Sequence, residues 1–226
     1  MPDIWSRLRN RVRYGLATQE ALDRIAKLGL VVRPYFVVEE PVRTRSGPAG
    51  THGLVVRQLR EEETPLIAHL PERRREEAKV RALLGFAHCI AAFENGTLLG
   101  YGWFRRDYLC GASSADQAIA LPADCAYLFD MFVCRGARGR NVAAYLRGET
   151  LNILAAQGVK HAFSISLAFN RSTRRFKAKL GATEVELRLH LRLKPFAGLD
   201  LRLRRRPWRL SLPAVRVRRS DGSVHP

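Results

Sequence analysis

The chain has 226 residues, 46% of them hydrophobic, with 39 Lys and Arg against 21 Asp and Glu and a formal net charge of +18 at pH 7. It is long enough for one sizeable core, contains no run of 18 apolar residues, and carries Arg7, Arg9, Arg11 and Arg13 where a secretory leader needs an apolar segment. A spanning helix and export by that route are therefore not expected. Cys89, Cys110, Cys125 and Cys134 form no CxxC pair and no metal spacing, so they are expected to be reduced core or loop thiols of a cytoplasmic, metal-free protein.

In chain order, Ile4, Trp5, Leu8, Val12 and Leu16 recur at helical spacing with arginines between them. The spacing predicts a short basic amphipathic helix that docks on the protein's own surface or on a membrane surface. Thr18 is placed to cap a second helix through Lys27, and Leu28-Gly29 stops it. Leu30 to Val38 reads as a strand and Pro41 to Gly53 as a linker. Residues 1–52 thus form an N-terminal extension, 53–205 the main domain, and 206–226 a basic tail.

Leu54 to Leu59 alternates as a strand. Thr64 to Leu84 is expected to be helical, with the charge run Glu72 to Glu77 as its solvated face. Cys89 to Glu94 and Thr97 to Phe104 flank Asn95-Gly96, a strong hairpin signal. Residues 105–125 carry Gly, Ser, Asp and Pro and read as a loop.

The apolar run Ala126 to Val133 is followed by Gly136, Arg138, Gly139, Arg140 and Asn141, then by Val142, Leu146, Leu151 and Leu154 at helical spacing. This is strand, loop, helix. Residues tolerant of left-handed backbone let amides converge at the positive end of the helix, where a pyrophosphate-type anion would be held, with Arg138 and Arg140 adding charge. Taken alone, the pattern describes an ordinary strand-to-helix turn equally well. Gly158-Val159-Lys160 then leads into a strand from Ala162 to Leu167, and Asn170 is followed after ten residues by Gly181. Leu187 to Leu193 alternates, turns at Pro195 to Gly198 and returns as Leu199 to Leu203, a closing hairpin expected to be apolar inside and cationic outside.

Residues 126 to 193, and more loosely 53 to 125, resemble the GNAT superfamily of acyl-CoA-dependent N-acyltransferases. The family's loop, Arg/Gln-x-x-Gly-x-Gly/Ala after a strand ending in Val, is matched by Arg138, Val142 and Ala143, with Asn141 replacing the first glycine. Asn170-(x10)-Gly181 matches its second motif. The resemblance implies an α/β (α+β) fold: a mixed, mostly antiparallel twisted sheet flanked by helices, here with the N-terminal helical extension and the C-terminal hairpin. It implies an N-acetyltransferase taking acetyl-CoA or another acyl-CoA as co-substrate and an amine as acceptor. Arg138, Gly139, Arg140, Asn141, Val142 and Ala143 would hold the pyrophosphate. The backbone of Phe132 and Val133 would hold the pantetheine arm, which Asn170 would steady. The 105–125 loop would close over the acceptor.

Catalytic residues are less clearly written. The family's tyrosine seven residues after the Asn is replaced by Lys177, which would serve only if burial lowered its pKa; an exposed helix lysine is the alternative. Tyr145, Ser166 and Tyr127 are possible substitutes as acid. Asp130 sits inside an apolar strand, where a carboxylate needs a catalytic task or an arginine partner. Strand alternation puts it opposite Tyr127, Phe129 and Met131. Glu94 is a further candidate base, while His88 and His161 read as structural.

From Arg188 to Arg219, Asp200 is the lone acidic residue among eleven cations. Such a field attracts an acidic acyl-carrier protein, which would suit a longer acyl chain, or the anionic inner surface of a membrane. Nucleic acid comes last, with Trp208 and Phe196 as the tail's stacking platforms. A module that binds acyl-CoA without turnover is the competing class, and oligomeric state, a dimer included, stays open.

Overall fold

The computed structural model describes residues 16–44, 53–110, 118–193 and 198–205. The amphipathic helix expected from Ile4, most of the linker, the Pro195 turn and the basic tail lie outside the described residues. In chain order the elements are α1 (Leu16–Lys27), β1 (Leu30–Pro41), β2 (Leu54–Gln58), α2 (Thr64–Ala68), α3 (Glu77–Leu84), β3 (His88–Glu94), β4 (Thr97–Arg105), β5 (Tyr108–Cys110), β6 (Ala118–Ala120), β7 (Cys125–Val133), α4 (Val142–Ala156), β8 (His161–Leu167), α5 (Arg171–Lys179), β9 (Thr183–Leu193) and β10 (Leu199–Arg205). Strands β5 and β6 occupy part of the stretch expected to be all loop. The expected fold class, α/β with mostly antiparallel strands flanked by helices, is borne out. The chain divides into two compact units. Among the described residues one takes the chain up to Glu40, Cys110, Ala118, Ile119 and the chain from Phe163 onward, the other Pro41–Leu109 and Ala120–Ala162.

In the second unit the strands run in the order β7-β4-β3-β2, each antiparallel to its neighbour. Asn95 (φ 49°) and Gly96 (φ 79°) both adopt the positive φ that a two-residue hairpin turn requires. One sheet face, with Ile90, Leu99, Ala126 and Leu128, buries Val142, Leu146, Leu151 and Leu154 of α4. The other, with Cys89, Tyr101 and Trp103, packs under Ile67 of α2 and Val80 and Leu83 of α3. Burying each such aliphatic side chain stabilises the fold by about 1.5–3 kcal/mol. Gly100 sets the approach of β4 to β7, since a Cβ there would stand 2.7 Å from the Phe132 carbonyl oxygen.

The single helix expected from Thr64 to Leu84 is instead two short ones, α2 and α3, separated by residues 69–76. Pro71 is the physical reason: it lacks an amide donor and steers Leu70 away from helical backbone. The supposedly solvated charge run is therefore free to turn its side chains toward the sheet.

In the first unit the strand order is β10-β9-β1-β8, with β9 antiparallel to both β1 and β10. β1 is thus an inner strand of this sheet, paired with β9 from Leu30 to Glu39. Helix α1 already includes Thr18, so that residue does not stand at its cap; Gly29 (φ 102°) ends the turn after it as expected.

The β9–β10 hairpin forms, but its faces are the reverse of the expectation. Leu193, Leu199, Leu201 and Leu203 are exposed, whereas Glu186 and His190 are buried and Arg188 nearly so. Alternation separates two faces without saying which one meets water. Here the polar face is buried because its groups satisfy one another. Tyr35 Oη donates to Asp200 Oδ1 at 3.0 Å, His190 Nδ1 lies 3.5 Å from Asp200 Oδ2, and Arg188 Nε donates to Glu186 Oε2 at 2.7 Å. Burial, with the Asp200 charge added, pushes the Tyr35 hydroxyl well above its usual titration range.

Candidate active site

Strand β7 delivers the chain to its loop. Phe132 and Val133 are ladder partners of Tyr101 and Gly100, and the Cys134 amide donates to the Leu99 carbonyl at 2.9 Å. A short 3-10 turn at Arg135–Ala137 follows. Gly139 (φ 80°) and Asn141 (φ 58°) then take left-handed backbone, and α4 starts at Val142. Asn141 thus does conformationally what a glycine would, as its tolerance of that region allows. Its side chain makes no cap hydrogen bond to the first turn of α4. A Cβ at Gly136 or Gly139 would meet nothing within 4 Å, so both glycines border open space. Converging amides, the helix dipole and this room fit a pyrophosphate.

The two loop arginines are less available than their sequence positions imply. Arg138 Nε donates to the Val133 carbonyl at 3.0 Å, and its guanidinium lies 3.8 Å from Glu72. Arg140 is ion-paired with Glu94, which accounts for the residue considered as a base. Glu72 also accepts the Arg135 amide at 2.8 Å, tying the loop to the 69–76 segment. Burial, then Glu72, raises the Cys134 thiol.

Asp130 is held by two arginines of that same segment. Arg73 Nη1 lies 2.6 Å from Oδ1 and Arg75 Nη2 lies 2.7 Å from Oδ2, with all three side chains substantially buried. Arg73 also donates to Tyr101 Oη at 3.2 Å and stacks over Phe132 at 5.6 Å. Burial, reinforced by the Asp130 charge, raises the Tyr101 hydroxyl. Asp130 has φ 51°, and the ladder slips there, so that Gly102 alone faces both Asp130 and Met131. This bulge breaks the expected alternation. Met131 and Val133 pack on the α4 side, while Phe129, Phe132 and the Asp130 carboxylate are on the side of Tyr101.

Tyr145, on the first turn of α4, packs against the core while its amide donates to Asn141. Tyr127 stacks on Phe129 at 5.5 Å and His88 on Phe104 at 4.8 Å. The His161 amide donates to Asp124, a structural contact. Asp130, Phe132, Val133, Arg138 to Ala143 and Tyr145 all belong to the second unit; Asn170, Ser166 and Lys177 belong to the first.

In that first unit Asn170 caps α5, its Oδ1 accepting from the Thr173 amide at 3.1 Å. Ser166 is buried. Lys177 is not an exposed helix lysine: it is 4% exposed. Its ammonium donates to Ser164 Oγ and to the Ile165 carbonyl, both at 2.8 Å, and Ser164 donates in turn to Glu40 Oε1 at 2.5 Å. A cavity of about 340 Å³ lies beside it, lined by Val38, Arg174, Lys177, Ala178, Thr183 and Glu184 among others. Sequence reasoning missed Glu72, Arg73, Arg75, Glu40 and Ser164. Pro71 was the available signal for the first three; the last two had none.

A strand, a loop with left-handed backbone and a helix follow one another here in an α/β domain. The model of the acetyltransferase (GNAT) family matches residues 55–182, and the chain belongs to that family. No curated protein matches it. Among solved structures, a protein described as a GNAT-family acetyltransferase from Novosphingobium aromaticivorans is similar with 19% identity and a TM-score of 0.52, over 73% of this chain and 66% of its own. A Drosophila protein is similar with 15% identity and a TM-score of 0.51, over 77% of this chain and 58% of its own. The chain thus spans less than two thirds of either, and at these identities they show the fold alone.

Proposed function

We propose that the protein transfers an acyl group, acetyl in the first instance, from CoA to a primary amine by direct attack within a ternary complex. The observation that supports this most is the uncapped N-terminus of α4 behind Gly139 and Asn141. On this reading the amides of the loop bind the pyrophosphate, and the backbone of Phe132 and Val133 holds the pantetheine arm. When bound, acyl-CoA supplies the activated carbonyl. The chain must accept a neutral amine and return a proton to the departing thiolate. Asp130 and Lys177 are committed to ion pairs and hydrogen bonds, and of the hydroxyl candidates Tyr145, on the first turn of the helix that follows the loop, is the acid of this proposal.

The test is the melting midpoint with CoA, acetyl-CoA and a long-chain acyl-CoA, for the native chain, Arg138→Ala and Gly139→Val. Stabilisation lost in Gly139→Val, where a β-branched residue cannot hold φ 80°, supports the loop. No shift with any of the three ligands removes the proposal. The acyl length that stabilises best separates acetyl transfer from use of a longer chain.

A second reading, an acyl-CoA-binding module without turnover, is favoured by Lys177, whose ammonium is engaged with Ser164 and Ile165 where the family has a tyrosine. Thiol release with any amine, and its loss in Tyr145→Phe, rejects that reading.

A further inference from the structure

Seven of the ten large apolar side chains exposed among the described residues lie in the first unit: Ile25, Leu28, Leu30, Leu193 and the three leucines of β10. Register joins most of them into one surface. Leu30 is the ladder partner of Leu193; Leu191 lies between Val32 and Leu199, and Leu189 between Pro34 and Leu201. Helix α5 covers only the far end of this face, where Arg174 stacks on Phe36 at 4.3 Å and Lys177 reaches toward Glu40 through Ser164. The rest is open, with Leu193 53% exposed, Leu203 55% and Leu28, in the turn before β1, 88%. A contiguous apolar face of this kind marks a docking surface.

Charge identifies the occupant. Arg204 is the ladder partner of Leu187, which places it at the rim of the same face, whereas Arg202, the partner of Arg188, lies on the opposite face 3.5 Å from Glu186. Arg24 and Lys27 are exposed on the last turn of α1, just before Leu28. The sequence then continues through Arg206, Arg209, Arg216, Arg218 and Arg219. β10 is the edge strand of its sheet, and a second copy added there would set arginines against arginines, which opposes self-pairing.

We infer that this face docks on an anionic phospholipid bilayer, the leucines reaching the acyl boundary and the arginines lying among headgroup phosphates. Leucines alone would suit any apolar partner, and arginines alone any anion. Their presence on one strand suits a surface that is charged outside and apolar beneath.

The experiment is cosedimentation of the full chain with vesicles of phosphatidylcholine alone or mixed with phosphatidylglycerol, at low and moderate salt. The expected result is capture by the anionic vesicles, part of which survives moderate salt. In Leu199→Asn/Leu201→Asn that surviving part falls about tenfold, as expected for two lost apolar anchors. Leu28→Asn gives the same reading without touching the ladder, and unchanged melting midpoints show that both variants fold. Capture that vanishes at moderate salt and ignores the leucine variants is charge attraction only and overturns the inference. So does absence of capture, or a dimer in sedimentation that the leucine variants dissociate.

Discussion

The Lys177 ammonium and the Ser164 hydroxyl lie 2.8 Å apart in the interior of the first unit, and Ser164 passes the contact on to Glu40. A buried cation and carboxylate joined in this way depend on each other, because removing either leaves a charge without compensation. Lys177→Met is expected to cost about 3 kcal/mol of stability. Lys177→Met with Glu40→Gln should recover part of that loss, read as a coupling energy in a double-mutant cycle of urea unfolding. Equal losses with no coupling would mean that the relay through Ser164 has no energetic weight.

Asp130→Asn removes the charge that compensates Arg73 and Arg75. The expected cost is about 2 kcal/mol, at the lower end for a pair that retains some solvent. Denaturant unfolding checks this. A variant of unchanged stability that loses turnover together with the acid limb of its pH profile would instead identify Asp130 as a base.

Glu94→Gln releases Arg140 from its carboxylate partner at the phosphate loop. CoA affinity is expected to tighten by up to about fivefold, as one partly exposed charge is worth roughly 0.2–1 kcal/mol and phosphate is a stronger partner than water. Titration calorimetry at two salt concentrations reads both the gain and its electrostatic origin. Weaker binding in Glu94→Gln would show that the carboxylate positions Arg140 for the ligand.

Glu63 carries a pH dependence whose sign follows from its partners. Arg57 grips it with two bonds of 2.7 and 2.6 Å, and the Arg60 amide adds a third at 3.0 Å. These hold its carboxyl far below the usual carboxylate range. A depressed folded-state pKa stabilises fully above the unfolded value and is lost as pH falls toward the folded one. The native chain should therefore exceed Glu63→Gln by about 1 kcal/mol at pH 7, with the difference shrinking below about pH 4. Unfolding curves across that range measure it, and a difference independent of pH contradicts the assignment.

Local signals in the sequence were dependable wherever backbone chemistry decided the outcome. Asn95-Gly96 gave its hairpin, Gly139 and Asn141 took the left-handed backbone assigned to them, and Asn170 stands at the start of its helix. What escaped was decided by pairing between distant residues. Pro71 breaks a helix that periodicity alone supports. The bulge at Asp130 reverses the facing of Met131 because Arg73 and Arg75, over fifty residues earlier, draw the carboxylate toward themselves. The hairpin of Leu187 to Leu203 alternates faultlessly, yet Tyr35, His190 and Asp200 decide which side is buried. None of these partners lies within reach of a local pattern.

The clamp on Asp130 also bears on how the chain can change over time. Three side chains from two separate stretches share one charge balance, so an acid lost at 130 leaves two cations that no longer belong there, and an arginine lost at 73 or 75 leaves the bulge half-held. Drift at these positions is expected to be correlated. In descendants of this chain, positions 73, 75 and 130 should change together or stay together, and an ancestor reconstructed with Asp130 but neutral residues at 73 and 75 should melt earlier than one holding all three.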